Sequence, residues 1–134
     1  MKIIIRSDRT LPPSQLRRLF LSVGWESGDY PVELAHALRG ASVLLTAWDK
    51  DRKRLVGLCE FITDGGMTAY LNYLLVEPGY QGRGIGHKLL DLSLDRLTGF
   101  RRIVLLAAPG KERFYEPFGF RKDGQSQPMA IFVR

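Results

Sequence analysis

Three glycines between an apolar strand and a helix constrain this chain more than any other feature of its sequence. Residues 74–97 read LLVEPGYQGRGIGHKLLDLSLDRL, in which an apolar strand stops at Pro78-Gly79 and a leucine-rich helix follows. Between them lie Gly82, Gly84 and Gly86. Each glycine costs about 0.5–1 kcal/mol relative to alanine in a regular element. A tight turn needs one glycine, so three in alternation predict that a ligand approaches the main chain closely.

The position of these glycines indicates an anion-binding loop. The first N–H groups of a helix have no partner within the helix, and the helix dipole adds positive charge there. Two common phosphate motifs do not fit. A P-loop needs Lys-Ser/Thr after its last glycine, where this chain has Ile85-Gly86. A dinucleotide-binding G-x-G-x-x-G would need glycine at His87 or Leu89.

Apolar patterning along the chain predicts an α/β fold with a mixed sheet of six to seven strands and about four helices. Strands are predicted at residues 2–6, 42–48, 54–62, 67–76 and 101–108, with one or two more between 120 and 134. Helices are predicted from Ser14, as N-cap, to Gly24, from Pro31 to Gly40, from the glycine loop to Thr98, and around residues 111–118. The strand–helix–strand unit over residues 70–107 is expected to be a right-handed parallel crossover.

Composition narrows the functional classes. The chain has 134 residues, enough for a single domain. It contains no apolar run of the roughly 18 residues that a membrane span needs, and its N-terminal apolar run is too short for a signal peptide. The single Cys59 excludes an internal disulfide and is expected to be a small core residue. These observations predict a cytoplasmic protein with no membrane partner.

The net charge of +6 attracts anions without choosing among them. Basic residues form four separate clusters, at Arg17-Arg18, 50–54, Arg101-Arg102 and Arg121-Lys122. None alternates with aromatic residues as a nucleic-acid stacking surface does, so no nucleic-acid partner is expected. His36 and His87 stand outside any cluster of metal ligands, and no metal is expected.

The glycine loop resembles a known signature. Residues 81–86, QGRGIG, match the Arg/Gln-x-x-Gly-x-Gly/Ala pattern that binds acyl-CoA in the GNAT acetyltransferase superfamily. Residues 114–120, FYEPFGF, resemble the F-Y-x-x-x-G-F stretch near the C-terminus of the same superfamily. The resemblance covers nearly the whole chain and implies one GNAT acyl-CoA N-acyltransferase domain over residues 1–134. Residues 22–25, followed by a helix that begins with proline, resemble the small-molecule, arylalkylamine-like branch.

The resemblance implies acetyl-CoA as co-substrate. The family's diphosphate-binding amides correspond here to those of Gly82, Arg83, Gly84, Ile85 and Gly86, with Gln81 leading the turn. Arg83 can add a charge-assisted contact. The pantetheine arm of the coenzyme is expected to lie along the main chain of Leu74, Leu75 and Val76. A β-bulge near Leu74 is expected to open the slot that receives it.

The resemblance also implies an N-acetyltransferase in which a primary amine attacks the thioester directly in a ternary complex. Tyr115 holds the position of the family's general acid, next to the coenzyme, and a tyrosine stays protonated at neutral pH. Glu60, a carboxylate on an apolar strand face, and Tyr73 are candidates for the base. Many members instead deprotonate the amine through ordered water. Trp25 and Tyr30 lie where the family builds a wall of its acceptor pocket.

Three other functions stay open at this level. The chain could keep the fold as a non-catalytic acyl-CoA sensor, or it could acetylate protein lysines or N-termini. A basic nucleic-acid-binding module ranks last, because it has no use for the three glycines. Members of the superfamily often form homodimers, and the resemblance carries that expectation to this chain.

Overall fold

The structure is a computed structural model that describes residues 1–133. These residues form four α-helices and five strands. The strands are β1 (Ile3–Arg6), β2 (Val43–Asp49), β3 (Arg54–Thr63), β4 (Thr68–Val76) and β5 (Arg102–Leu105). The helices are α1 (Pro13–Ser22), α2 (Pro31–Arg39), α3 (Ile85–Asp95) and α4 (Glu112–Tyr115). Along the chain their order is β1, α1, α2, β2, β3, β4, α3, β5 and α4. The chain forms two compact units, Met1–Val104 and the segment from Leu105 onward.

The sequence predicted most element boundaries to within a few residues, with a correction at the start of α1. The N-cap is Pro12 and not Ser14, and Pro13 is the first helical residue. Proline fixes φ near the helical value, so it begins a helix without any help from a side-chain cap. Gly24 has φ +76° and follows the end of α1 as predicted. Helix α3 ends at Asp95, three residues before the predicted Thr98.

The sheet is mixed and has five strands in the order β1–β2–β3–β4–β5. Strands β1 to β4 form a continuous antiparallel meander. The chain then passes through α3 to β5, which lies beside β4. The prediction of six to seven strands was wrong, because residues 120–133 contain no strand.

Local hydrogen bonding in the tail explains this difference. The carboxylate of Asp123 accepts a hydrogen bond from the N–H of Gln125 at 3.0 Å and another from the hydroxyl of Ser126 at 2.9 Å. A side chain that binds its neighbouring backbone in this way competes with strand pairing. Pro128 also lacks the N–H that a sheet ladder uses. The apolar side chains beyond it, from Met129 to Val133, are exposed.

Two layers of helices cover the first unit's sheet. One core cluster joins α1 and α2 to the strands through fully buried residues such as Phe20 and Leu58. Helix α3 packs against β2 and β3, where Gly57 lets it come close. A Cβ added to Gly57 would lie 3.1 Å from Leu89 Cδ1 and 3.3 Å from Ile85 Cγ2. The N-terminal turn of α3 therefore packs directly against the backbone of β3 at Gly57.

Cys59 is a core residue, as its isolation in the sequence predicted. It is fully buried on β3, and this burial raises the pKa of its thiol to about 12.

Candidate active site

The glycine loop between β4 and α3 has the backbone conformation that only glycine adopts easily. After a short 3₁₀ turn at Pro78–Tyr80, Gly82 has φ +79° and Gly84 has φ +80°. Residues with a Cβ are strained in this left-handed region. Two of the three glycines singled out in the sequence are therefore required by the path of the chain, while Gly86 lies in the first turn of α3.

The loop leaves its main chain open to a ligand. A Cβ added to Gly82 or Gly84 would meet no heavy atom of the described chain within 4 Å. Gly84 is the N-cap of α3, and none of the side chains in residues 1–133 caps the helix there. The first N–H groups of a helix need an external acceptor. This combination fits an anionic group such as the diphosphate of a coenzyme.

Gln81 folds the loop back onto the end of β4. Its side-chain amide donates a hydrogen bond of 2.8 Å to the main-chain carbonyl of Val76. The sequence analysis assigned Val76 to the coenzyme arm, and the structure shows that a loop side chain already binds its carbonyl. The guanidinium of Arg83 stands 5.7 Å from the centre of the Tyr80 ring, and its Nη1 lies 3.1 Å from Sδ of Met1.

Glu77, the first residue after β4, holds the start of the loop. Its carboxylate accepts hydrogen bonds from Arg54, at 2.9 and 3.1 Å, and from Arg18 of α1. Burial alone would raise the pKa of Glu77, but these two guanidinium groups lower it below its usual value. Helix α1 and strand β3 are thereby both tied to the residue at which the loop begins.

Tyr80 holds the middle of the loop. Its hydroxyl donates a hydrogen bond of 2.7 Å to the carboxylate of Asp49, the last residue of β2. The hydrogen bond from Tyr80 lowers the pKa of Asp49, and the same bond raises the pKa of Tyr80.

A β-bulge interrupts the pairing of β3 with β4 near Leu74, as predicted. Glu60 pairs with Tyr73 and Phe61 pairs with Leu71, so Asn72 is the extra residue. The bulge therefore lies two residues before Leu74. At the bulge, the side chain of Asn72 leaves the regular alternation and binds the carboxylate of Glu60.

Glu60 is a buried carboxylate. Its residue is 3% exposed, and the amide of Asn72 donates a hydrogen bond of 2.8 Å to Oε1. Desolvation raises the pKa of Glu60, and the hydrogen bond from Asn72 offsets part of this effect. A carboxyl group with a raised pKa is a suitable proton acceptor near neutral pH.

Tyr73 lies directly opposite Glu60 in the β3–β4 ladder, so the two side chains share a face of the sheet. The Tyr73 ring packs edge-on against Phe20, with centroids 4.9 Å apart, and stands 6.0 Å from the ring of Trp25. The hydroxyl oxygens of Tyr73 and Ser27 are 2.8 Å apart. The structure thus pairs the two candidate bases, Glu60 and Tyr73, and sets Tyr73 beside Trp25, which the sequence analysis assigned to the acceptor pocket.

The remaining predicted site residues have the following environments. Tyr30 is 60% exposed at the start of α2. Leu75 is buried in the α1–α2 core cluster, so only its main chain could meet a ligand, while Leu74 and Val76 are half-buried. Ile85 is also buried, and its main-chain N–H alone belongs to the loop surface.

Tyr115 lies in the second unit, at the end of α4. Its ring packs edge-on against Phe114, with centroids 5.0 Å apart, and against Phe120, with centroids 5.9 Å apart. A 3₁₀ turn, Glu116–Phe118, continues α4, and the helical segment stops as predicted at Gly119, which has φ +98°. The F-Y-x-x-x-G-F stretch therefore forms a compact aromatic turn.

Residues 1–133 contain neither a candidate membrane span nor a candidate metal site. No helix in this range is both long and apolar enough to cross a membrane. No group of three or more His, Cys, Asp or Glu side chains in the same range is arranged to hold a metal ion.

Sequence reasoning missed the side chains that support the site. Asn72, Ser27 and Asp49 each contact a residue distant in sequence. A lone asparagine within the apolar run of residues 69–76 was the available signal for the first. Nothing in the local sequence marks the other two, since their contacts depend on strand pairing and loop folding.

Comparison with known proteins agrees with this geometry. Residues 29–131 match the family model described as an acetyltransferase (GNAT) domain. The chain is 33% identical to an uncharacterized N-acetyltransferase, ycf52-like, from Prochlorococcus marinus, over 92% of this chain and 71% of that protein.

Solved structures give the same picture. A probable acetyltransferase from meticillin-resistant Staphylococcus aureus superposes with a TM-score of 0.85 at 22% identity, over 98% of this chain and 100% of that one. A GNAT family acetyltransferase from Brucella melitensis, solved in complex with acetyl-CoA, is 26% identical with a TM-score of 0.65, over 90% of this chain and 84% of that one.

Proposed function

This chain belongs to the GNAT acetyltransferase superfamily and uses acetyl-CoA as its acetyl donor, and we propose that it acetylates a small primary amine by direct attack in a ternary complex. The observation that carries the proposal is the uncapped N-terminus of α3, preceded by two left-handed glycines with open space in front of them. Coenzyme A supplies the diphosphate that such a loop accepts.

In the proposed complex the main-chain N–H groups from Gly82 to Gly86 bind the diphosphate. Arg83 is exposed beside the loop and adds a charge-assisted contact. The pantetheine arm then runs along the main chain of Leu74 and Leu75. Because Gln81 binds the carbonyl of Val76, we expect the arm to pair with β4 on the N-terminal side of that residue.

The proposed reaction forms a C–N bond and breaks the thioester C–S bond, and one proton passes from the amine to the sulfur. The neutral amine nitrogen attacks the acetyl carbonyl, and the resulting oxyanion accepts a hydrogen bond from a main-chain N–H near Leu74. The C–S bond then breaks, the amine loses a proton, and the thiolate gains one. The products are the N-acetylated amine and the free thiol of coenzyme A. Holding both substrates in one complex supplies much of the rate.

Two groups are proposed for the proton transfers. Glu60 has a raised pKa and shares a sheet face with Tyr73, so it can accept the proton of the amine through Tyr73 or through water. Tyr115 is proposed as the acid that protonates the thiolate, on the strength of its place in the F-Y-x-x-x-G-F stretch.

The proposed acceptor surface is aromatic. Trp25 is 37% exposed and stands against Tyr73, and Tyr30 offers a second exposed ring on the same connection. Such rings suit an amine with an apolar body or a cationic head. The arylalkylamine-like branch stays a proposal on this ground, and a cytoplasmic location and a homodimeric state stay predictions from the sequence.

The test is an acetylation assay with acetyl-CoA and two sets of acceptors, small primary amines and lysine-containing peptides. We expect release of one thiol for each amide formed with at least one small amine. Tyr115→Phe should lower kcat about 100-fold while binding coenzyme A as before, and Tyr70→Phe on β4 is the matched control. Acetylation of peptides alone would overturn the small-amine proposal, and binding of acetyl-CoA without any acetylation would indicate a sensor.

A further inference from the structure

Tyr80 connects three parts of the molecule that the proposed coenzyme site requires. Its ring is buried, and its hydroxyl binds the Asp49 carboxylate at the end of β2. Its main-chain N–H donates a hydrogen bond of 2.8 Å to the carbonyl of Glu77, where the loop begins. Its ring also lies 5.7 Å from the guanidinium carbon of Arg83. The proposed chemistry uses none of these contacts.

Asp49 is held in place by its own turn, independently of Tyr80. It is 2% exposed, and its Oδ1 accepts a hydrogen bond of 3.3 Å from the main-chain N–H of Arg52 within the β2–β3 turn. The side chain of Arg52 lies 4.0 Å from Oδ2. Because the turn holds this carboxylate in place, it is a rigid acceptor. The Tyr80 hydroxyl can therefore donate its hydrogen bond to Asp49 from only one position.

We propose that Tyr80 and Asp49 are positioning residues that hold the glycine loop in its diphosphate-binding conformation before the coenzyme arrives. The inference rests on the proposed function only in that the loop binds the diphosphate of coenzyme A. Neither residue is among the groups proposed for the proton transfers. Ordering a loop upon binding costs free energy, and a loop ordered in advance avoids that cost.

The contact between Tyr80 and Asp49 should affect the binding of acetyl-CoA and not the chemical step. Loss of the Tyr80 hydroxyl should raise the KM for acetyl-CoA and leave kcat nearly unchanged, because the reacting groups are not touched. A bond that merely stabilised the fold would instead lower the melting temperature and leave the affinity of the folded protein for coenzyme A unchanged.

The experiment measures coenzyme A binding by calorimetry on the full chain, at a temperature where every variant is folded. Tyr80→Phe removes the hydroxyl and keeps the ring beneath Arg83, and Asp49→Asn weakens the acceptor. Each should weaken binding about tenfold, as expected for the loss of a hydrogen bond to a charged group. The double variant should bind no more weakly than Tyr80→Phe alone, because both substitutions act on the same hydrogen bond.

The matched control is Asp64→Asn. Asp64 accepts three main-chain N–H hydrogen bonds in the β3–β4 hairpin, at the opposite end of β4 from the glycine loop. This variant should lower the melting temperature without changing the affinity for coenzyme A. It therefore reports what a purely structural loss looks like.

A second measurement does not depend on binding. In the coenzyme-free protein, amide hydrogen exchange over residues 78–86 should be faster in Tyr80→Phe than in the wild type, and unchanged in Asp64→Asn. Equal affinity and equal exchange in wild type and Tyr80→Phe would overturn this inference alone. Failure of the wild type to bind coenzyme A would overturn it together with the proposed function.

Discussion

The side-chain amide of Asn72 donates a 2.8 Å hydrogen bond to the buried carboxylate of Glu60, at the bulge in β4 where Asn72 is the extra residue. The same irregularity places Tyr73 opposite Glu60 on the face that carries Phe20 and Trp25. A single extra residue therefore links a perturbed acid to the aromatic surface proposed for the acceptor.

Glu60→Gln should make the protein more stable at alkaline pH and less active. The pKa of Glu60 is raised by desolvation in the folded state, so its contribution to stability is complete below its unfolded pKa and is lost as pH rises through its folded pKa. A glutamine side chain cannot ionise, so the variant does not lose stability as the pH rises. Melting temperatures should be higher for the variant at pH 8 and converge at about pH 4, whereas kcat at pH 8 should fall. A lower melting temperature at every pH would contradict the prediction.

Asn72→Ala should destabilise the protein by about 1–3 kcal/mol at pH 8, because the buried carboxylate loses a hydrogen-bond donor. The loss should shrink in acid, where the carboxyl group is protonated. If Glu60 is the base, the pH at which kcat rises should also move upward, since Asn72 lowers the pKa of Glu60. Denaturant unfolding and a pH–rate profile measure the two effects, and an unchanged profile in an active variant would exclude Glu60 as the base.

Glu77→Gln should cost about 1–2 kcal/mol at neutral pH, because two partly exposed guanidinium groups lose their charged acceptor. The pKa of Glu77 is lowered in the folded state, so its stabilisation is present above its unfolded pKa and is lost as pH falls through its folded pKa. The difference in the free energy of unfolding between the variant and the wild type should therefore disappear in strong acid. Glu33→Gln, at an exposed position in the first turn of α2, is the control and should lose less stability, because among the described residues its charge interacts only with the helix dipole.

Lys53→Gly should stabilise the protein slightly. Lys53 has φ +51° in the β2–β3 turn, a conformation that costs a residue with a Cβ about 1–2 kcal/mol. Glycine removes this strain but adds backbone entropy to the unfolded state, about 0.5–1 kcal/mol, so we expect a net gain of about 0.5 kcal/mol. Chemical denaturation should show Lys50→Gly, in the same turn, to be destabilised, and a matching loss in Lys53→Gly would contradict the prediction.

Gly57→Ala should destabilise the protein by about 1–3 kcal/mol, because the added methyl group would press on Leu89 and Ile85 of α3 at 3.1 and 3.3 Å. Since Ile85 begins the helix whose N-terminus faces the loop, coenzyme A affinity should fall as well. Gly66→Ala is the control, because a Cβ there meets no heavy atom of the described chain within 4 Å. Thermal unfolding with and without coenzyme A measures both effects.

The sequence predicted the parts of this molecule that local chemistry determines. The β4–loop–α3 unit follows from apolar patterning and from glycines at Gly82 and Gly84, and the aromatic turn ending at Gly119 follows in the same way. These features depend on residues close together in the chain. Their identification needed no knowledge of the tertiary structure.

The features that were missed or misplaced depend on long-range pairing. The contact between Asn72 and Glu60 depends on the register of two strands, so the local sequence could mark Asn72 as unusual without identifying its partner. Tyr80 and Asp49 are 31 residues apart, and nothing near either residue marks the other. The tail misled the prediction because its apolar residues suggest a strand, while the Asp123 turn and Pro128 oppose one.

Asp49 and Glu77, the two acidic residues that hold the glycine loop in place, also affect how an anionic ligand approaches it. Asp49 and Glu77 lie at the sides of a loop suited to a diphosphate, yet both carboxylates point inward to Tyr80 and to guanidinium groups. Arg18 and Arg54 balance the charge of Glu77, and the guanidinium of Arg52 lies 4.0 Å from the Asp49 carboxylate, so little repulsion extends to the mouth of the loop. Carboxylates can therefore connect the ends of β2 and β4 to their neighbours without repelling the anionic ligand that the loop is suited to bind.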